Sequence, residues 1–218
     1  MTGRVKRRTD DESVDNIPIT QGKYVVIDIE LTGLDEQRDS IISIGAIRMS
    51  GGRIELGETF YRLMGPEGPS MNSVSIQGST TAGLVLEQDT APVLADFLSL
   101  CGEDVLVGHL IFTDLTFLKN EVRRFFGLEV KNYVIDTYQV YHWLMRREAL
   151  GGSYSPTEVK LNEVASQLGV TVSDNHDAMS DAFITAQIFQ RLMPMLIREG
   201  VKTIGELLRI GDPSEGLR

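Results

Sequence analysis

The early part of the chain sets apolar positions in the period of strands. Lys23 to Leu31 is a run rich in valine and isoleucine, the pattern of a central strand covered on both faces. Asp39 to Met49 carries Ile41, Ile42, Ile44, Ala46 and Ile47 and predicts a second strand. Ser50-Gly51-Gly52 signals a tight turn, after which Arg53 to Arg62 alternates through Ile54, Leu56 and Phe60 as a third. These strands predict an antiparallel meander. Residues 63–87, with Gly65, Pro66, Gly68, Pro69 and Gly78, read as loop.

The period then lengthens. Thr90 and Pro92 predict a helix N-cap and first turn, followed by a stripe through Val93, Leu94, Phe97 and Leu98. Asp104 to Gly108 predicts a short buried strand. Asp114 to Phe126 is amphipathic, with Phe117, Leu118, Val122, Phe125 and Phe126 on one side and Lys119, Arg123 and Arg124 on the other. Tyr133 to Ile135 predicts another strand. Helices are expected at about 137–149, 159–168, 178–198 and 202–209, and a mobile loop at Gly151 to Pro156. A meander followed by strand–helix alternation implies an α/β domain with a mixed sheet.

Composition narrows the class. The 218 residues suffice for one large domain, and 42% hydrophobic with 24% charged is ordinary globular composition. No apolar run reaches the roughly 18 residues of a membrane span. The basic N-terminus (Arg4, Lys6, Arg7, Arg8) has no apolar segment after it, so it does not read as a signal peptide. A single cysteine, Cys101, excludes an intramolecular disulfide framework, and a cytoplasmic location is expected. Residues 1–21 are expected to be a polar, disordered tail, 22–200 the working domain, and 201–218 a short helix and tail. The formal net charge of −10 argues against a protein that coats nucleic acid by neutralising phosphates. It leaves room for an enzyme that grips one strand end through cations, because an acidic cluster attracts phosphate once cations occupy it.

Candidate chemistry lies in three short acidic segments. Asp28 and Glu30 are two apart on a predicted strand and point to one face, leaving Ile27, Ile29 and Leu31 for the other. Paired carboxylates at an apolar strand end are costly unless neutralised, and oxygen-only ligands favour Mg²⁺ or Mn²⁺. Asp114 falls where a strand passes into a helix, and Asp181 near the start of the last long helix. In isolation each acid reads as a helix-terminal charge. His176 precedes Asp181 by five positions, so on a continuous helix the two would diverge by about 140°. It is expected in the preceding loop, where a neutral imidazole serves as a general base.

Together the segments resemble the DEDD-type 3′→5′ exonucleases of the histidine-bearing branch. Asp28-Ile29-Glu30-Leu31-Thr32-Gly33-Leu34 is similar to that family's Asp-x-Glu-Thr-Thr-Gly motif. Gly108 to Leu118 resembles its Ala-His-Asn-x-x-Phe-Asp-x-x-Phe-Leu motif, and His176 to Ala186 its third. Val74 to Thr80 resembles the Ile-His-Gly-Ile-Thr loop, and Ile135-Asp136-Thr137 an Asp-Thr strand end. In style the motifs are similar to epsilon proofreading subunits of DNA polymerase III. The resemblance spans about residues 22–195.

The resemblance implies an RNase H-like fold with a five-stranded mixed sheet flanked by helices, and a two-metal mechanism using Mg²⁺ or Mn²⁺. It implies that Asp28, Glu30 and Asp181 hold one ion, that Asp28 reaches the second with Asp114 supporting it through water, and that His176 is the base. It places Thr32, Gly33, Leu34, Gln77 and His109 beside the substrate, with Leu34 as a wedge against the terminal base. Leu31, Leu110, Thr113 and Gln77 depart from the family pattern and bear on substrate choice rather than on chemistry. The Leu31 version also resembles oligoribonucleases.

A 3′→5′ exonuclease on single-stranded DNA or frayed 3′ ends is therefore expected. An exoribonuclease on short RNA is the alternative, and an inactive binding module the reading outside enzymes. The little chain after the third motif favours a free-standing enzyme over a polymerase-bound one. Arg123, Arg124, Arg146 and Arg147 are candidates for steering phosphate, although such residues more often form the wet faces of helices.

Overall fold

A computed structural model describes residues 12–65, 89–148, 160–172 and 177–214. Of the loop expected at 63–87, residues 66–87 and with them Gln77 lie outside the described residues, as do the loop expected at 151–156 and His176. Five strands form one sheet: β1 (Lys23–Leu31), β2 (Ile41–Ser50), β3 (Arg53–Leu63), β4 (Val105–Gly108) and β5 (Val134–Asp136). Their order is β3-β2-β1-β4-β5. β1 pairs antiparallel with β2, and β2 with β3, as a meander whose turn is closed by Gly51 at φ +54°. β4 and β5 run parallel to β1. The sheet is mixed, in the five-stranded architecture expected.

Strand alternation divides the core into two layers. Val25, Ile27, Ile29, Ile44, Ala46 and Leu106 meet α2 (Thr90–Cys101) and α3 (Phe112–Phe126). Tyr24, Val26, Ile47, Met49, Val105, Val107 and Ile135 pack on the other face, against α4 (Thr137–Glu148), α5 (Leu161–Gln167), α6 (Ala178–Arg198) and α7 (Ile204–Ile210). Asp28 and Glu30 continue the Tyr24 and Val26 side of β1, so they emerge on the face that carries α6. Leu31 packs with the opposite layer, as its place in the alternation predicts.

Three boundaries differ from the sequence reading. The cap of α2 is Asp89, whose carboxylate accepts from the Ala91 N–H, and Thr90 is already helical. Asp114 is not a cap: α3 begins at Phe112, and Asp114 stands in its first turn. Residues 14–21, expected to belong to a loose tail, are packed into the fold. A short helix, α1 (Glu12–Asp15), leads to Ile19, which is 1% exposed and whose carbonyl accepts from the Tyr24 hydroxyl at 2.9 Å. Ile19 N–H donates to Lys202 O and Ile204 N–H to Ile17 O, beside a bridge between Pro18 and Thr203. Two isoleucines in a polar stretch are too sparse to show a period, and only the tertiary partner at 202–204 reveals where they go.

Candidate active site

The parallel strands β1, β4 and β5 deliver their carboxyl ends to one edge of the sheet, where open α/β sheets bind ligands. Asp28 and Glu30 come from the end of β1 and Asp181 from the first turn of α6. One oxygen of each lies within 4.8 Å of the others. Two features of the chain bring α6 this close. Gly45 on β2, opposite Asp28, has no side chain where the helix start passes. Asp177 caps α6: its Oδ1 accepts from the Met179 and Ser180 N–H groups at 3.1 and 3.0 Å, and its Oδ2 from the Ser180 hydroxyl at 2.7 Å.

Electrostatics shows how crowded these acids are. Burial, followed by the Asp114, Asp181, Glu30 and Asp177 carboxylates, raises Asp28 well above its ordinary value of 3.8. Asp114 is pushed up to about 8 by burial, while a hydrogen bond from the Ile29 N–H opposes the shift. Asp114 therefore borders the cluster although it is outside the tight trio. Like charges held together in a half-buried place ask for a cation. All donors are hard carboxylate oxygens, which suits Mg²⁺ or Mn²⁺ and not a thiolate- or imidazole-seeking metal. The residues fit a divalent cation held by Asp28, Glu30 and Asp181.

The other sequence-predicted residues divide between the rim and its support. Leu34, in the loop after β1, is 78% exposed. Thr32 is tied into that loop: its hydroxyl donates to Asp39 Oδ1 at 2.8 Å and accepts from the Ser40 N–H at 3.0 Å. Gly33 leaves room for the Asp39 carboxylate, which a Cβ would meet at 2.5 Å. Asn120 of α3 donates to Glu36 at 3.3 Å and joins this loop to the helix that carries Asp114. His109, half-buried after β4, has Nδ1 3.0 Å from the Thr137 hydroxyl. Of the candidate phosphate-steering arginines, Arg124 pairs with Glu121 and Arg147 with Glu199, at 2.9 and 2.8 Å.

Sequence reasoning missed three neighbours of the cluster. Asp177 follows His176 in the third motif, where sequence alone gives it no role. Tyr61 of β3 pairs with Gly45 one strand over from Asp28, and burial, Asp177 and Glu30 raise its phenol. Asp136, only 2% exposed at the end of β5, reads in the sequence as part of an Asp-Thr pair with no assigned role. Burial pushes its carboxyl up to about 6 against N–H groups of Tyr138, Leu110 and Ile111. Its Oδ1 accepts from Leu110 and Tyr138, each at 2.9 Å, which fixes the β4–α3 turn.

Comparison with known proteins agrees with this geometry. The chain is 32% identical over 190 residues to the DNA polymerase III PolC-type protein of Thermotoga maritima, covering 87% of this chain and 13% of that one. It therefore spans a small part of the PolC-type relatives. It is 29% identical over 179 residues to the DNA polymerase III subunit epsilon of Aquifex aeolicus, covering 82% of this chain and 84% of that one. It is 31% identical over 209 residues to an epsilon-like protein of Rhodobacter capsulatus, covering 92% and 28%. Among solved structures, E. coli Exonuclease I in complex with a dT13 oligonucleotide shares the fold, with a TM-score of 0.65 at 19% identity over 83% of this chain and 43% of that one. The Exonuclease family (RNase_T) matches residues 25–189, from the first strand into α6 and across all four carboxylates, and the chain belongs to that family.

Proposed function

We propose that this exonuclease works in the 3′→5′ direction on single-stranded DNA or frayed 3′ ends, releasing nucleoside 5′-monophosphates with the help of two Mg²⁺ or Mn²⁺ ions. The observation that carries this reading is the meeting of Asp28, Glu30 and Asp181 oxygens within 4.8 Å of one another, with Asp114 alongside. Asp28, Glu30 and Asp181 hold one ion, and Asp28 with Asp114 serves the second. Bound ions would stabilise charge on the attacking and leaving oxygens of an in-line displacement. His176, immediately before the α6 cap Asp177, takes the proton of the attacking water as a neutral imidazole. Leu34 lies against the terminal base.

With a net charge of −10, the chain has little hold on phosphates without cations, so binding as well as turnover depends on them. The test is a gel with 5′-labelled single-stranded DNA and RNA of matched sequence, with Mg²⁺, Mn²⁺ or chelator. A metal-dependent ladder shrinking from the 3′ end is expected, faster on DNA. A ladder from the 5′ end, or activity in chelator, would overturn the reading. A faster RNA ladder would favour an exoribonuclease, to which Leu31 in the first motif points. The epsilon and PolC-type relatives prompt a DNA polymerase as partner, which a pull-down on the full chain tests.

A further inference from the structure

Leu110 is the one non-glycine residue among those described with a positive φ, at +53°. There a Cβ crowds the following carbonyl, and glycine, asparagine or aspartate are the usual occupants. The turn is held from several sides. Leu110 N–H donates to the buried Asp136 carboxylate at 2.9 Å. Thr137, fully buried, donates its hydroxyl to the Gly108 carbonyl at 3.0 Å. Gly108 leaves room for the Ile111 side chain, which a Cβ would meet at 2.7 Å. Strain persists only where surroundings impose it, and such sites cluster where molecules do their work.

The strain brings no burial in return. Leu110 is 39% exposed and Phe112, which opens α3, is 43% exposed. Neither side chain is among the buried residues of the two core layers. Leu110 leaves the end of β4 at the sheet edge that carries the acids, and an exposed apolar side chain there suits a ligand with both phosphates and flat apolar faces.

We infer that Leu110 is a substrate-binding contact, whose side chain meets the face of a nucleobase near the 3′ end of the bound strand. The inference rests on the nuclease reading above. Every base offers an apolar face, so the contact adds grip without sequence preference. It supplies affinity that a chain of net charge −10 does not obtain from its own field.

The test compares wild type, Leu110→Gly and Leu110→Asn on an all-base oligonucleotide and on versions abasic at each of the last few positions. Both variants fit the left-handed turn, so neither is expected to melt below wild type. On the all-base strand KM should rise about five- to tenfold, the scale of one lost apolar contact, with kcat little changed. At one abasic position wild type and variants should become equal. Equal losses on every substrate, or a lower melting temperature with unchanged KM, would make Leu110 a packing residue and overturn the inference alone. A wild type that shortens no strand would remove the nuclease reading and the inference with it.

Discussion

Gly45 of β2 stands directly across the ladder from Asp28 of β1, and the space its side chain would fill is taken by the start of α6. A Cβ on Gly45 would lie 2.1 Å from the Ala178 carbonyl oxygen. That contact is backbone, which a rotamer change cannot relieve. Gly45→Ala should therefore displace the first turn of α6 and carry Asp181 away from Asp28. The expected cost is about 3 kcal/mol, the upper range for overpacking. Divalent-cation binding by calorimetry should weaken with it, and unchanged binding would show that α6 is not seated by this glycine.

Crowded carboxylates set the pH dependence of the cation-free protein. The folded-state values of Asp28, Asp114 and Asp136 all lie above the ordinary 3.8, with Asp114 at about 8 and Asp136 at about 6. A raised carboxyl binds protons more tightly in the folded state, so its stabilisation is complete below 3.8 and is lost as pH rises through the folded value. In chelator, the melting temperature should fall between pH 5 and pH 8 on this account, and Mg²⁺ or Mn²⁺ should restore most of the loss at pH 8. A melting temperature flat with pH and indifferent to cations would contradict it.

Asp28→Asn removes the most crowded charge. It should raise the chelator-treated melting temperature at pH 8 while nearly abolishing turnover, the pattern of a group kept for function at the expense of stability. His176→Ala should also nearly abolish turnover with the melting temperature unmoved. Thermal denaturation and the strand-shortening gel, run on the same preparations, read both quantities.

Asp136 acts through the turn it holds. Asp136→Ala strands the N–H groups of Tyr138, Leu110 and Ile111, at about 1–3 kcal/mol for each one left buried. Asp136→Asn keeps an acceptor for Leu110 and Tyr138 and should recover much of both stability and turnover. If Asn were as damaging as Ala, the charge rather than the acceptor would matter.

The N-terminal arm is a core element. Ile19→Ala should cost about 2–5 kcal/mol, the range for an aliphatic side chain cut back inside a packed core. Urea denaturation measures it, and a change near zero would return the segment to the status of a tail.

Strands β1 and β2 are legible because valine- and isoleucine-rich runs mark them, β3 because Ile54, Leu56 and Phe60 alternate after a turn signal, and α3 and α6 because they carry long amphipathic stripes. The acids Asp28, Glu30, Asp114 and Asp181 were legible because residue type and order survive without coordinates. Gly45 and Asp136 were not, because their importance lies in what faces them across the fold: a glycine inside an apolar strand and a lone aspartate at a strand end carry no local mark. The cap of α2 was misplaced by one residue because Asp89 and Thr90 are both good caps, and the chain's path decides between them. Ile17 and Ile19 read as tail because their partners lie at 202–204.

The bridge between Pro18 and Thr203 lies near the beginning of β1, roughly 15–20 Å along that strand from its acidic end. The incoming and outgoing stretches of backbone thus run side by side, held by Ile19 to Lys202 and Ile204 to Ile17 hydrogen bonds. Pulling on either stretch therefore loads this pairing at the far end of β1 before it reaches the carboxylates.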